Sequence, residues 1–580
     1  MAIHHFLSIL SQRFINIVIF FAVFVFWAFF YPGHILMKEQ FSFFLYTQEF
    51  WKQYVFQPGG WSVYCGNFLA QFYINQWMGA LIQTLLCAAL MILLKRILKK
   101  MGVSGNLLLV AVFPALLLLT LQCDYCFTPG NTLVLLSPFA LTLLYMNMKR
   151  VMLRRLVFTL AMLPVYLFSG AAATCCLYVV CIIFEWFVAK DRWKYTTTAW
   201  IVFAILLPHL WQIIYLTPND KLYQIVDYTL DKNINYILIV LLAWLPFCIL
   251  TVLLVHSQRL TSIASGKFPA LVIMILLTSC GFIFFPQTYR HTEELNFRMY
   301  LAVTQNEWDK ALKTGTRVKT PDQCSAWLIN LSLAIKGELP QKMFNYKQTD
   351  EHGLIPVRER KRLNVLYGSA FYYHIGMLNE AIRWVYDLYI LNKRGMDYHT
   401  LTRLAVWNKE NGYEQVAAKY FDILNHTLMY RSFAKRECDL SVATRVATAE
   451  QVEFFVNERE PLYVITRLFE NNKKNPMILD YMLCYQLLKN DLNNFLQIYE
   501  TDYPTPKELP KAYQEALLEI PMLEMVNFRR YPINQINISR HRSFYELAKK
   551  GNNNELEKQF GDTWWNYSFQ KKKSVQSKKK

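Results

Sequence analysis

Two acidic residues lie where carboxylate chemistry could occur beside hydrophobic runs of the chain. Glu39 follows the first run, and Asp124 lies in the short segment Cys123-Asp124-Tyr125-Cys126 between the third and fourth runs. If both segments meet at one end of a helical bundle, the two carboxylates could hold a divalent cation against a lipid-linked phosphate. One of them could instead deprotonate an attacking hydroxyl group. The alternative is that each acid caps a helix or sits among lipid headgroups with water.

Four other polar residues near the hydrophobic runs are candidates for substrate contacts. Arg290 and His291, just after the last run, could meet a lipid phosphate or act as interfacial anchors. His209 lies inside the seventh run, where ionisable groups usually face a cavity or a partner. Glu49 has Lys52 three residues later, which is also the spacing of an ordinary pair on a helix surface.

Glu185 and a pair of cysteines each have a functional and a structural interpretation. Glu185, near the inner end of the sixth run, is close enough to Lys190 and Arg192 for interfacial pairing. Cys123 and Cys126 form a C-x-x-C that could be a redox pair or half of a metal site. No second cysteine pair or histidine cluster completes four zinc ligands, so membrane packing is the simpler interpretation.

The elements that must position these residues are nine hydrophobic runs in the first half of the chain. Of the 580 residues, 54% are hydrophobic and 16% aromatic, more than a soluble protein of this size normally carries. Each run approaches the roughly 20 residues that cross a bilayer as a helix. The fifth and sixth meet at Ser169-Gly170 and form either a tight hairpin or one broken element. The runs lie near 14–31, 77–98, 105–123, 131–148, 156–170, 171–189, 198–216, 234–255 and 268–286.

The positive charges predict the orientation of these runs. With a cytosolic N-terminus, fourteen of the eighteen lysines and arginines before Pro286 flank the cytosolic ends of the runs. Nine crossings then leave everything after Pro286 in the periplasm of a bacterial cell, so we expect a multi-pass protein of the inner membrane. The net charge of +19 comes mainly from these flanks and a lysine-rich tail. Because it forms no clustered basic face, we expect no nucleic-acid partner.

The first outer loop, residues 32–76, is too polar to cross a bilayer and unusually aromatic. Such a composition is typical of a chain that lies in the headgroup layer. We predict one or two surface helices, broken at Gln57-Pro58-Gly59-Gly60 because proline removes a donor and glycine frees the backbone. Glu39 and Glu49 would lie there beside lipid.

The second half, residues 287–560, repeats one helical pattern. An apolar helix ends at Gly376, a short turn follows, and Ala381 lies where a second helix must approach closely; the pattern recurs at Gly412 and Ala417. Weaker copies centre on Asn306, Gly337, Asn490 and Gly551. The turns are 31, 39, 36, 78 and 61 residues apart, near multiples of about 34. The pattern resembles tetratricopeptide repeats, which implies a solenoid that binds a peptide or protein partner. We predict a disordered basic tail over 561–580.

The order of these features is similar to that of the GT-C superfamily, polytopic glycosyltransferases that use polyprenyl-phosphate sugars. The similarity rests on an acid after span one, an acid between spans three and four, and a C-terminal outer domain. It implies that Glu39 is the catalytic acid, that Asp124 assists metal or acceptor binding, and that a polyprenyl-linked sugar is the donor. Lys38-Glu39-Gln40 departs from the paired acids of many members. The loop also resembles uncharacterised bacterial membrane proteins with repeat-bearing tails.

The sequence therefore predicts an all-α protein with a polytopic transmembrane bundle over 1–286 and a tetratricopeptide-like solenoid over 287–560. One hypothesis is a glycosyltransferase that meets a lipid-linked sugar at the outer leaflet while the repeats present an acceptor or partner. Glu39 and Asp124 would be its catalytic and metal-binding pair, and Arg290 would contact phosphate. The alternative is a non-catalytic membrane scaffold whose repeats recruit a periplasmic protein.

Overall fold

The computed structural model describes residues 16–103, 111–189, 194–216, 222–223, 249, 289–357, 359, 361–392, 395–439, 461–473, 475–503, 508–520 and 531–578. Within these ranges the regular elements are helices and no strand occurs, which confirms the all-α class. The chain forms two compact units. Unit 1 contains Met1–Arg290, Asn392–Thr402 and Ala418–Asp439, and unit 2 contains the remainder. The boundary predicted at residue 286 is thus incomplete, because two segments of the second half belong to unit 1.

The first half of the chain is built from helices joined by short turns. A 3-10 helix, Gln71–Ile74, precedes α5, and π-helical turns end α1 and follow α9. The helices described there are α1 (Asn16–Phe30), α2 (Pro32–Gln40), α3 (Gln48–Val55), α4 (Gly60–Ala70), α5 (Gln76–Lys100), α6 (Val112–Gln122), α7 (Pro129–Asn147), α8 (Val151–Leu160), α9 (Met162–Phe184) and α10 (Lys194–Ile214).

Four of the described helical runs are long and apolar enough to cross a membrane, which is compatible with a membrane protein. They are α5, α7, most of α10, and α9 with its π-helical extension, a run that is interrupted at Gly170. A fifth results if α1 and α2 count as one span, although their axes bend by 73° where Pro32 opens α2. Nine spans are not confirmed. The runs near 234–255 and 268–286 lie outside the described residues except for Ile249, and the run near 105–123 is described only from Ala111.

Gly170 divides the long apolar run of α9 into two arms. Its backbone has φ 76° and ψ 178°, which is not helical. Across this break the Tyr178 hydroxyl donates to the Phe158 carbonyl at 2.6 Å, and Arg155 pairs with Glu185 at 3.0 Å. Each contact joins a residue before Gly170 to a residue at a similar distance after it along the chain. The arms before and after Gly170 therefore run antiparallel. The fifth and sixth predicted runs therefore form a hairpin, the first of the two arrangements that the sequence leaves open.

Residues 32–76 contain α2, α3, α4 and the 3-10 helix, and the break between α3 and α4 lies at the expected residues. α3 ends before the break and α4 begins after Gly59, which has a φ of 67° that glycine adopts without strain. The Gly59 amide donates to the Tyr166 carbonyl at 3.0 Å, and the Trp211 indole donates to the Phe56 carbonyl at 3.1 Å. These bonds hold the loop against α9 and α10.

The second half of the chain consists of paired helices. The helices described there are α11 (His291–Thr304), α12 (Trp308–Gly315), α13 (Gln323–Ile335), α14 (Leu339–Lys342), α15 (Arg362–His374), α16 (Leu378–Leu391), α17 (Tyr398–Glu410), α18 (Glu414–Asn425), α19 (Arg431–Asp439), α20 (Pro461–Asn471), α21 (Pro476–Lys489), α22 (Leu492–Asp502), α23 (Lys511–Leu517), α24 (Gln535–Lys549), α25 (Asn553–Phe560) and α26 (Trp564–Lys578).

All six predicted turn centres have the left-handed backbone that ends a helix. Their φ values are 58° at Asn306, 68° at Gly337, 88° at Gly376, 80° at Gly412, 63° at Asn490 and 71° at Gly551. At five of them the amide that follows donates to the carbonyl five residues earlier, as Met377 does to Tyr372 at 2.9 Å. This is the Schellman bond, which satisfies a carbonyl that the helix leaves free. The helix–turn–helix pairs are therefore confirmed.

The small residues after these turns are buried as the pattern requires. Ala311, Ala381 and Ala417 are at most 2% exposed. Trp327 and Trp384 are also buried, so both belong to the core of this half.

The prediction of a disordered tail over 561–580 is wrong for most of its length, because α26 occupies it. Trp564 and Trp565 anchor this helix in unit 2, where both are buried. The Trp564 indole donates to the Leu487 carbonyl at 2.9 Å, and the Trp565 indole donates to the Glu515 carbonyl at 2.8 Å. Burial of the two tryptophan rings therefore holds this segment in unit 2, although lysines dominate its composition.

Candidate functional site

Glu39 lies near the end of α2 and is buried rather than exposed beside lipid, contrary to the sequence-based expectation. Only 1% of the residue is exposed. Its Oε2 accepts hydrogen bonds from the Gln40 amide at 2.7 Å and from the Tyr430 hydroxyl at 3.1 Å. The Gln40 amide also donates to the Tyr430 hydroxyl at 2.7 Å. Oε1 has no hydrogen-bond partner in the described part of the chain. The carboxylate is thus oriented through one oxygen, and the other is left without a partner.

The residues that bury Glu39 come from segments of the second half that belong to unit 1. Tyr398 donates through its amide to the Ser42 carbonyl at 3.0 Å and through its hydroxyl to the Phe44 carbonyl at 3.3 Å. Its ring stacks on that of Tyr430 with centroids 4.6 Å apart. The tyrosine pair, Tyr398 and Tyr430, is therefore attached both to the loop backbone and to the carboxylate.

The electrostatic surroundings keep Tyr430 protonated. Burial raises its pKa well above the ordinary value for tyrosine, and the adjacent Glu39 carboxylate raises it further. A second carboxylate, that of Asp397, is completely buried nearby and interacts electrostatically with Glu39. Asp397 accepts from the Thr400 amide at 2.7 Å and from the Asn392 side chain at 2.8 Å, so it caps α17. Tyr430 is thus a hydrogen-bond donor at neutral pH.

The turn that carries Asp124 approaches the same end of α2. Lys38 donates to the Gln122 carbonyl, and the rings of Phe41 and Tyr125 lie 5.8 Å apart. The Asp124 carboxylate accepts from the amide two residues later at 2.7 Å, which is the bond of an Asx turn. The structure therefore brings the two predicted segments together. The described hydrogen bonds of the Glu39 carboxylate go to Gln40 and Tyr430 rather than to this turn.

Within the described residues, the predicted metal pair of Glu39 and Asp124 is not part of a larger ligand set, since no group of three or more histidine, cysteine, aspartate or glutamate side chains there is arranged for a metal ion. No disulfide joins Cys123 to Cys126.

The other candidate substrate contacts are dispersed. Arg290 is exposed, and its amide donates to the Tyr31 hydroxyl at 3.2 Å, at the bend before α2. Glu49 is exposed in the first turn of α3. His209 is exposed on α10 and lies 3.1 Å from the Tyr223 hydroxyl. His291 is exposed at the start of α11, in unit 2.

In the described part of the chain, Glu185 is completely buried and pairs with Arg154 and Arg155, while the Tyr145 hydroxyl donates to it at 2.6 Å. Lys190 and Arg192, the two expected partners, lie outside the described residues. The hairpin at Gly170 allows the observed pairing, because it places α8 beside the end of α9.

Sequence reasoning missed Tyr398, Tyr430 and Asp397, which surround the predicted acid. They lie more than 350 positions after Glu39, in the half of the chain assigned to the repeats. The Asp397-Tyr398 step resembles any helix start, and Tyr430 lies in the turn before α19. No spacing rule links such residues to a loop in the first half.

We expect Tyr430→Ala to expose Glu39, because it removes both the stacked ring and the hydroxyl. Labelling of Glu39 by a hydrophobic carbodiimide, read by mass spectrometry, should rise severalfold. Tyr430→Phe keeps the ring, so labelling should stay low while the free energy of unfolding falls by about 1–2 kcal/mol. Tyr389→Ala, at an exposed tyrosine, is the control. Unchanged labelling in Tyr430→Ala would show that other groups close the site.

Comparison with known proteins gives a family without an assigned activity. No curated protein and no solved structure matches the chain. The family model that matches spans residues 7–571, nearly the whole chain. The chain therefore belongs to the family of unknown function DUF6057.

Proposed function

We propose that the protein is an integral membrane glycosyltransferase that takes a sugar from a polyprenyl-phosphate carrier at the outer leaflet of the bacterial inner membrane. The observation that carries the proposal is the state of Glu39. It is a buried carboxylate next to an apolar helix, with one oxygen oriented by two donors and the other without a partner. A general base needs this combination of a fixed orientation and an available lone pair.

In the proposed reaction, Glu39 Oε1 removes the proton of an acceptor hydroxyl. The acceptor oxygen forms a bond to the anomeric carbon of the sugar, the bond from that carbon to the phosphate oxygen breaks, and polyprenyl phosphate leaves with the electron pair. Gln40 and Tyr430 hold Oε2 and orient the base. Asp124 would assist on the acceptor side, since its turn contacts the end of α2.

The remaining residues take accessory roles in this proposal. Arg290, exposed beside Tyr31, would contact the carrier phosphate, and His291, Glu49 and His209 are candidates for further substrate contacts. No step is assigned to a divalent cation; Glu39 and Asp124 would hold one only together with waters and the carrier phosphate, which is how proteins usually bind Mg²⁺. The helical hairpins of the second half would form a tetratricopeptide-like solenoid that presents an acceptor or a periplasmic partner.

A scaffold without catalysis is the second candidate, and one observation favours it. Glu39 is only 1% exposed, and the Asp124 carboxylate already caps its own turn. Both acids could therefore be structural. The hairpins would then carry the function by binding a periplasmic protein, and Tyr386 and Tyr389, which are partly exposed on α16, would be candidate contacts.

The two functions are separated by substitutions in cells, followed by analysis of surface glycans and lipid-linked sugars. For the transferase, Glu39→Gln should reduce glycan transfer by about 100-fold or more, and the lipid-linked donor should accumulate. Asp124→Asn should give a smaller loss. Glu307→Gln is the matched control, because Glu307 is an exposed glutamate with no role in the proposed reaction. If these variants leave the glycans unchanged while Tyr386→Ala with Tyr389→Ala abolishes the cellular phenotype, the scaffold is correct.

A further inference from the structure

Four side chains in unit 1 carry buried polar atoms that have no hydrogen-bond partner among the described residues. Trp27, Tyr73, Gln83 and Gln122 are all 0% exposed. The atoms without a hydrogen-bond partner in the described chain are Trp27 Nε1, Tyr73 Oη, Gln83 Nε2, Gln83 Oε1 and Gln122 Oε1. Buried polar groups are normally paired with protein or ordered water, so several such atoms together require an explanation.

The elements that carry these side chains pack against one another. Trp27 and Tyr73 belong to one core cluster with Ala80 and Cys123. Gln83 lies one helical turn after Ala80 on α5, and Gln122 directly precedes Cys123 at the end of α6. Each of the four residues is therefore a member of this cluster or lies next to one along the chain.

Lys38 provides a second link between the same elements. Its ammonium lies 5.5 Å from the centroid of the Trp27 ring and donates to the Gln122 carbonyl. Lys38 directly precedes Glu39 on α2, so this helix carries both the candidate acid and a residue that contacts the set. They are distinct from the atoms that bind Tyr430.

The donors and acceptors of this set restrict what can satisfy it. The Trp27 indole only donates, the Gln122 side-chain oxygen Oε1 only accepts, and Tyr73 and Gln83 can do both. A metal cation cannot accept from the indole, and a carboxylate or a fully ionised phosphate cannot donate to Gln122 Oε1. A hydroxyl group both donates and accepts, and so does water.

We propose that Trp27, Tyr73, Gln83 and Gln122 form an enclosed binding site for hydroxyl groups, supplied either by bound water or by a small neutral sugar. The proposal does not depend on the transferase activity, because it follows from hydrogen-bonding capacity alone. Water needs two to four polar partners in a buried site, and this set offers five atoms. A sugar would find the same atoms beside aromatic rings on which its apolar faces can stack.

Thermal unfolding of the full-length protein in nanodiscs tests the site through two conservative variants. Tyr73→Phe removes one hydroxyl and keeps the ring, and Gln83→Leu removes the amide at similar volume. If the site is filled, each should lower the unfolding midpoint by about 2 °C. If the two side chains share one occupant, the double variant should lose less than the sum of the single losses. Tyr178→Phe is the reference variant, because it removes a hydroxyl group that has a known carbonyl partner, and its change in midpoint is compared with that of Tyr73→Phe.

Added sugar separates the two sources of the hydroxyl group. Glucose, mannose and N-acetylglucosamine are tested separately at millimolar concentration. A sugar site is supported if one of them raises the midpoint of the wild type and fails to do so in Tyr73→Phe. A water site is supported if the variants show the coupled losses and no sugar has an effect. The proposal is overturned if either single variant leaves the midpoint unchanged or raises it, since removing an unsatisfied group relieves a cost. Additive losses would also overturn it.

Discussion

Glu185→Leu should lower the free energy of unfolding by about 3–5 kcal/mol, because it leaves the buried guanidinium groups of Arg154 and Arg155 without their shared carboxylate. The side chains of the two arginines are only 7% and 11% exposed, so water can replace little of what is lost. The Tyr145 hydroxyl also loses its acceptor. Denaturant unfolding of the full-length protein in micelles measures the effect.

Two comparisons identify the cause of this loss. Glu307→Leu removes an ion pair of similar length, that with Lys310, which is largely exposed, so it should change stability little. Replacing Glu185, Arg154 and Arg155 together by leucine should recover much of the loss, since no buried charge then lacks a partner. A stability of Glu185→Leu close to that of the wild type would mean that the arginines find other acceptors.

Gly66→Ala is the second substitution for which we expect a large effect. A Cβ at this position would lie 2.2 Å from the Gly130 nitrogen and 2.3 Å from its Cα. Both atoms belong to the backbone of α7, so no side-chain rotation can relieve the overlap, and α4 and α7 must separate. We expect a loss of about 3 kcal/mol, the upper part of the range for overpacked cores.

The neighbouring residue provides the control for Gly66→Ala. Cys65 lies in the same turn of α4 and is only half-buried, so Cys65→Ala should cost much less. Separation of α4 from α7 should also loosen the first outer loop, which hydrogen exchange of the α4 amides would report. A Gly66→Ala protein as stable as Cys65→Ala would show that the two helices do not approach as closely as described.

Local sequence signals were sufficient for the turns of the second half. A left-handed residue after an apolar helix is favoured by glycine and asparagine, and the bond that closes the turn spans only five residues. Gly376 and Asn490 could therefore be assigned without knowing what lies around them. The break at Gly59 follows the same logic, since a positive φ is a property of the residue itself.

The surroundings of Glu39 could not be inferred in this way. The hydrogen bond from Tyr430 joins residues 391 positions apart, and no periodicity relates them. The prediction of a disordered tail failed for a related reason. Its composition is that of a solvated chain, but Trp564 and Trp565 find buried positions that only the assembled helices create.

The all-α class, the turn positions and the apolar character of the first half thus follow from the local preferences of the residues in each segment. Two features depend on the packing of distant segments. One is the pairing of Glu185 with Arg154 and Arg155, and the other is the burial of Glu39 under Tyr398 and Tyr430. The physical reason is that hydrogen bonds and ion pairs depend on distances of a few ångströms between atoms, and segment order along the chain does not specify such distances.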